Sequence, residues 1–294
     1  LGRSGYQTKI LNDDDTPLLL TGSSDGVVNI YKDFYDMEKL HMISSWRGLT
    51  DLLLTPRSTG LLTEWQQSRG SLLVTGDVKI IRIWDALTES IEVDIPAKSS
   101  ALITSLTSDQ LTGNIFVAGY SDGSIRVYDR RMDPRDSMIR LWKTAKRGTS
   151  PVGSWVNNIH LQRGGYRELV SGTNNGVVSL WDIRNDQPVC NFTDEGEPGK
   201  KSGSTMTSMQ VHEHAPVIAT GTKEIKIWTT SGDLLRTFKN HGYGHSNTIS
   251  GMASGTRSSP FISALTFHPH RMMLAANNSH DTTFNIYECY DSRR

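Results

Sequence analysis

The sequence predicts an all-β propeller, and three features predict it: a repeated strand-turn-strand unit, an aromatic closing each copy, and a period that suits one blade. The copies read LLLTGSSDGVVNIYKD from Leu18, SLLVTGDVKIIRIWDA from Ser71, IFVAGYSDGSIRVYDR from Ile115, ELVSGTNNGVVSLWDI from Glu168, VIATGTKEIKIWTT from Val217 and MLAANNSHDTTFNIYEC from Met273. Their closing aromatics are Tyr31, Trp84, Tyr128, Trp181, Trp228 and Tyr287, at spacings from 44 residues (Trp84 to Tyr128) to 59 (Trp228 to Tyr287).

Each copy carries the signals of a hairpin. Asp25-Gly26 and Asp122-Gly123, with Asn175-Gly176 in the fourth copy, suit a two-residue turn whose central residues take positive backbone angles. Apolar and polar side chains alternate, as in Ile81, Ile83 and then Asp85, or Ile125, Val127 and then Asp129; that is the period of a strand with two distinct faces. One such sheet cannot bury both faces by itself, whereas sheets stacked around an axis cover one another and leave only short edges. The length and the Trp-Asp or Tyr-Asp ending resemble the WD repeat, whose period is roughly 40 to 45 residues.

Four-strand units read from the third copy onward. The first is Ile103 to Ser108, Ile115 to Tyr120, Ser124 to Asp129 and Met138 to Lys143. The next two run from Trp155 to Phe192 and from Met206 to Phe238. The last offers Ile262 to His268, Met272 to Ala276 and Thr283 to Cys289, with no outermost strand after it. The reading is a seven-bladed WD-repeat propeller, with the first blade incomplete or upstream of this chain, and residues 1–294 forming a single domain. The chain does not begin with Met and has no secretory pattern, so it is expected to be part of a longer protein.

Composition narrows the function. Lys plus Arg and Asp plus Glu number 31 each, which leaves no net field to draw in nucleic acid or an anionic membrane. No apolar run approaches the eighteen or so residues a membrane span needs. Two cysteines, Cys190 and Cys289, fit a reducing compartment better than a disulfide framework.

Chemistry is sparse. His212-Glu213-His214, His241, His245, His268-Pro269-His270 and His280 invite a metal reading, but no Cys pair and no His-Glu-x-x-His helix completes a ligand set. Asp25, Asp122, Asp129 and Asp182 recur with the repeat, as turn and strand-end hydrogen bonding requires. Neither a Walker loop nor a Gly-x-Ser-x-Gly elbow can be read. The expectation is no catalytic residue, no cofactor and no metal. Trp142-Lys143-Thr144-Ala145-Lys146-Arg147 is a weak nucleic-acid signal, better read as Trp142 packing an outer strand beside solvated cations. Two polar segments, Asp194 to Thr205 and Asn240 to Pro260, read as surface loops.

More specific wording lies inside the repeats. Ser44 to Ala86, with its Trp46-Arg47-Gly48-Leu49 start and Glu64-Trp65 pair, resembles the Raptor family, the regulatory-associated proteins of the TOR kinase. Val117 to Met132, ending Asp129-Arg130-Arg131-Met132, and Ile262 to Asp281 share that resemblance. It implies a C-terminal propeller in a non-enzymatic scaffold subunit of TOR complex 1 that recruits substrates and couples the kinase to nutrient signalling. The implied partners are the TOR kinase, the complex's small WD-repeat subunit, kinase substrates and inhibitors, and nutrient-responsive small GTPases that bind mainly through other domains. The implied location is the cytoplasm, with peripheral recruitment to the lysosome or vacuole membrane.

Trp46, Arg130 and Arg131 flank strands and are candidate exposed partner contacts. The alternative packs Trp46 in an outer strand and pairs the two Arg with Asp133 and Asp136. A WD-repeat adaptor of another complex, such as a ubiquitin-ligase substrate receptor, is the competing function, and an enzyme on a propeller scaffold would need ionisable groups gathered at the channel.

Overall fold

A computed structural model describes residues 7–12, 15–50, 60–144, 154–162, 168–193, 205–239, 261–279 and 284–289. Six antiparallel sheets follow one another along the chain. The first holds β1 (Gln7–Leu11), β2 (Leu18–Gly22), β3 (Val27–Lys32) and β4 (His41–Arg47). The second holds β5 (Leu62–Gln66), β6 (Ser71–Thr75), β7 (Ile80–Asp85) and β8 (Ser90–Pro96). The third is β9 (Ile103–Ser108), β10 (Ile115–Tyr120), β11 (Ser124–Asp129) and β12 (Met138–Lys143). The fourth is β13 (Val156–Leu161), β14 (Leu169–Thr173), β15 (Val177–Trp181) and β16 (Cys190–Thr193). The fifth is β17 (Ser208–Val211), β18 (Val217–Gly221), β19 (Glu224–Thr229) and β20 (Leu234–Lys239). Three strands make the sixth: β21 (Ile262–Phe267), β22 (Met273–Asn278) and β23 (Phe284–Glu288). Helix is confined, among the described residues, to a single 3-10 turn at Gln67–Arg69, and no helix is long and apolar enough to cross a membrane.

Strands pair in chain order, and the first strands of successive sheets are neighbours, which sets β1, β5, β9, β13, β17 and β21 innermost. The architecture is a β-propeller with six blades in the described chain. One expectation is corrected. The first blade is complete, with four strands, because QTKIL ahead of the first copy pairs with β2 from Gln7↔Gly22 to Leu11↔Leu18. Among the described residues the sixth sheet has three strands and no outermost one, as the sequence indicated.

The hairpin turns are corrected too. Gly119 pairs with Ile125, which leaves Ser121-Asp122-Gly123 as a three-residue loop, not a two-residue one. Gly123 N–H donates to Tyr120 O at 3.1 Å, and Gly26 and Gly176 repeat this at Ser23 O and Thr173 O. Only the glycine carries positive φ, +86° at Gly26, +77° at Gly123 and +82° at Gly176. A tight turn followed by one left-handed residue matches the strand twist as well as a two-residue turn does. The fifth copy, without Gly in its turn, is two residues shorter: Thr222 N–H bonds Glu224 O where Ser23 N–H bonds Val27 O.

Five apolar cores separate six sheets. Leu11, Leu20, Val28, Leu61, Leu72, Val74 and Trp84 join the first two. Leu73, Ile83, Phe116 and Tyr128 join the second to the third, and Val117, Val127, Trp142, Ile159 and Trp181 the third to the fourth. Val170, Met209, Ile218 and Trp228 lie between the fourth and fifth, and Ala219, Ile225, Ile262 and Leu274 between the fifth and sixth. Among the described residues no core joins the sixth sheet back to the first. Its two outer faces stay open instead, with Phe284 67%, Ile286 57% and Ile10 58% exposed.

Candidate functional site

The innermost strands line a cavity of about 1000 Å³ to which all six sheets contribute. Period-two alternation points Lys9 of β1, Glu64 of β5 and His160 of β13 toward it, with Glu213 just beyond β17. Glu64 is buried, and its carboxylate is fully engaged. It pairs with Lys9, and its Oε1 accepts from Ser108 N at 3.2 Å, Ser108 Oγ at 3.3 Å and Gln110 Nε2 at 3.2 Å. His160 Nε2 lies 3.9 Å from Glu213 Oε2. Burial, and secondarily the charge of Lys9, pull the His160 imidazole down to about 4, so it is neutral at physiological pH.

These polar groups do a structural job along the channel. Gln7 Nε2 donates to Thr63 O at 3.2 Å, Thr104 Oγ1 to Val156 O at 2.6 Å and Asn157 Nδ2 to Met206 O at 2.7 Å. With Glu64 to Ser108 and Thr207 Oγ1 to Ile262 O, every pair of adjacent inner strands is stitched by a side chain onto its neighbour's backbone. Buried backbone groups left unpaired would each cost about 1–3 kcal/mol. Among the described residues no three His, Cys, Asp or Glu side chains converge as metal ligands. His214 and His270 stack with ring centroids 5.5 Å apart, His212 Nδ1 accepts from His214 N and Ala215 N at 3.1 Å, and His241, His245 and His280 lie outside the described residues.

The predicted contact residues separate. Trp46 is not in a loop: it sits in β4, half-buried, its ring 6.0 Å from that of Trp84 in the next blade. Arg130 is also removed from the surface, its side chain 4% exposed. It donates to Gln66 Oε1 at 2.6 Å and pairs with Glu92, so it clamps the second blade to the third, not to Asp133 or Asp136. Arg131 is 63% exposed along its side chain and folds onto Asp129, which its guanidinium holds below the usual carboxylate range. The three residues therefore do not share one surface. Asp182 and Arg184 repeat the Asp129-Arg131 pairing, and Asp122 Oδ1 accepts from Ser124 N at 3.0 Å, the turn roles the sequence indicated for these Asp.

A feature the sequence reading missed is a relay of rings between blades. Trp46 meets Trp84, Trp142 stacks on Trp181 at 5.0 Å, Phe192 meets Trp228 at 5.2 Å and Phe238 meets Tyr287 at 4.6 Å. In each case an aromatic late in one blade's outermost strand packs on the closing aromatic of the next. The joint between second and third blades uses Ile95 in that place. There the Tyr120 and Tyr128 hydroxyls, 2.6 Å apart, share one hydrogen bond and hand a second to Ala97 O, which lies within 3.2 Å of both beside the Arg126 guanidinium, and burial raises both phenols.

Comparison with known proteins matches this architecture. Over residues 92–254, more than half of its length, the chain matches the family model described as Nucleolar protein 10-like, N-terminal domain. It is 62% identical over 296 residues to the target of rapamycin complex 1 subunit KOG1 of Saccharomyces cerevisiae, covering 97% of this chain and 19% of that protein. Identity to the target of rapamycin complex 1 subunit mip1 of Schizosaccharomyces pombe is 42% over 283 residues, 96% of this chain and 20% of that one. The crystal structure of Chaetomium thermophilum Raptor superposes with a TM-score of 0.79 at 39% identity, covering 99% of this chain and 24% of that one. The chain thus spans about a fifth of the length of the curated relatives it matches. The family description names an N-terminal domain, so the match does not carry the C-terminal placement expected above. The chain belongs to the β-propeller family described by the nucleolar protein 10-like N-terminal domain, and its relatives at 62% and 42% identity are target of rapamycin complex 1 subunits.

Proposed function

We propose that this chain is the protein-docking propeller of a non-catalytic scaffold subunit of TOR complex 1, recruiting substrates to the TOR kinase and coupling it to nutrient signalling. One observation carries the reading: 62% identity across 97% of the chain to a protein named as a subunit of that complex. The channel supports it. Glu64 is spent on Lys9, Ser108 and Gln110, where it joins three blades, and His160 is held neutral by burial. The partners are the TOR kinase, the complex's small WD-repeat subunit, kinase substrates and inhibitors, and, mainly through other domains, small GTPases. The protein works in the cytoplasm and is recruited peripherally to the lysosome or vacuole membrane. Docking raises the effective concentration of a phospho-acceptor near the kinase without supplying chemistry. Of the three candidate contacts, Arg131 has the most exposed side chain, already paired with Asp129.

The ring has seven blades in this reading, the seventh supplied by sequence beyond these residues and inserted between the sixth sheet and the first. Phe284, Ile286 and Ile10 are the apolar faces it would bury. Tyr31 is the closing aromatic left half-buried, with no ring packed on it among the described residues.

Affinity purification of the full-length protein from a gentle lysate, with mass spectrometry of what remains bound, tests the function. Near-stoichiometric TOR kinase with its small WD-repeat subunit supports it, and a different assembly lacking the TOR kinase replaces it with the adaptor alternative.

A further inference from the structure

We infer that the outer turns of the first two blades form a docking surface for a basic amphipathic protein segment, one that presents bulky apolar side chains beside Lys or Arg. This deepens the docking reading above and rests on it. The turn joining β3 to β4 exposes Tyr35 by 72%, Met37 by 81% and Leu40 by 37%, and Ile43 follows at 47%. Leu87, at the tip of the turn joining β7 to β8, is 91% exposed, with Ile91 behind it at 49%. Ser44 Oγ of β4, next to Ile43, donates to Glu89, so the turn joining β7 to β8 reaches the outermost strand of the first blade across the joint. None of the five interblade cores includes these side chains. Large apolar side chains gathered in exposed positions on neighbouring blades mark interaction sites on soluble proteins.

Charge selects the occupant. Residues 32–43 and 85–91 carry Asp33, Asp36, Glu38, Asp85 and Glu89 against two lysines, Lys32 and Lys39, in a chain whose charges balance overall at 31 each. Lys39 is itself held by Asp36 at 3.0 Å. Asp85 accepts from Leu87 N at 2.9 Å and Thr88 N at 3.2 Å, and these bonds keep its carboxyl below the ordinary range, so the turn stays anionic. An apolar surface rimmed by carboxylates attracts a cationic partner and repels an acidic one.

The test uses the full-length protein and two designed probes: a helix-forming peptide of roughly 18 residues with one leucine and one lysine face, and its counterpart with glutamate for lysine. Fluorescence anisotropy should show the lysine peptide binding at least about tenfold more tightly, an advantage that shrinks as salt rises. Met37→Ser with Leu87→Ser should weaken it about tenfold, and Glu38→Gln with Glu89→Gln should flatten the salt dependence. These side chains are exposed, so unchanged thermal unfolding certifies the fold. Equal binding of both peptides, binding indifferent to the variants, or shielding of the Tyr35, Met37 and Leu87 side chains from hydroxyl-radical labelling in the peptide-free protein would each overturn the assignment, the last by showing that the protein covers the surface itself. Co-purification of the TOR kinase is scored separately: its absence from the unmutated protein defeats the scaffold reading and leaves the peptide result intact.

Discussion

Gly26 shows how little freedom a single residue has here. Its φ of +86° disfavours any side chain, and a Cβ would stand 2.2 Å from Leu49 O, in the segment leading to the second blade. Gly70 has φ +60° but nothing within 4 Å of an added Cβ. Gly26→Ala should therefore cost more than the left-handed conformation alone, which accounts for about 1–2 kcal/mol, whereas Gly70→Ala should stay near that figure; urea unfolding of the two variants decides it. His160 supplies a pH prediction. Its folded pKa of about 4 lies below the ordinary 6.5, so between those values the unfolded chain binds more protons. Stability from this residue is complete above pH 6.5, falls as pH drops, and is lost below about 4, a change of up to about 3 kcal/mol. His160→Gln should flatten that part of a stability-against-pH curve, and an unchanged slope would show that another group sets it.

At the scale of strands, the joint between blades is where sequence and structure part company. Strands within a blade were legible because alternation and turn residues are local: Ile103 to Ser108, Ile115 to Tyr120, Ser124 to Asp129 and Met138 to Lys143 all appear with those bounds. What a residue meets across a joint is not local. Arg130 and Arg131 are adjacent in sequence, yet one is clamped between Gln66 and Glu92 and the other lies on Asp129 at the surface. Hence Arg130→Ala should destabilise by about 1–3 kcal/mol, the penalty of orphaning the buried Gln66 carbonyl, and Arg131→Ala by less than about 1 kcal/mol, both read by denaturant melts. The ring relay had a signal that went unused: Trp46, Trp142, Phe192 and Phe238 each stand near the end of an outermost strand, before the closing aromatic they meet. Trp142 is 3% exposed, stacks on Trp181 and donates Nε1 to Asn185 O at 3.0 Å. Trp142→Ala should cost about 3–5 kcal/mol, and a double-mutant cycle with Trp181 should leave a coupling of about 0.5–1.5 kcal/mol. Additive single effects would mean that the stack fills space without contributing a specific contact.

Across the whole molecule, stability is a chain of nearest-neighbour interfaces, as repeat architectures generally are. Among the described residues, six sheets with five cores leave two terminal faces, and the strands on those faces should open at the lowest free energy. The copy count made the repeat legible, but the number of blades needed to close the ring is set by the angle between packed sheets, which no single copy encodes. Amide hydrogen exchange measures the consequence directly. In these 294 residues, β1 and β23, whose Ile10, Phe284 and Ile286 face outward, should exchange far faster than β10 and β14, whose residues are all buried. In the full-length protein, a seventh sheet between them would bury those side chains at roughly 1.5–3 kcal/mol for each one fully covered. Through the exponential dependence of opening on free energy, one such side chain slows exchange at β1 and β23 about tenfold or more, with β10 and β14 unchanged. Equal exchange at β1 and β23 in both proteins would mean that nothing is inserted there, and that the six blades stand as an open arc.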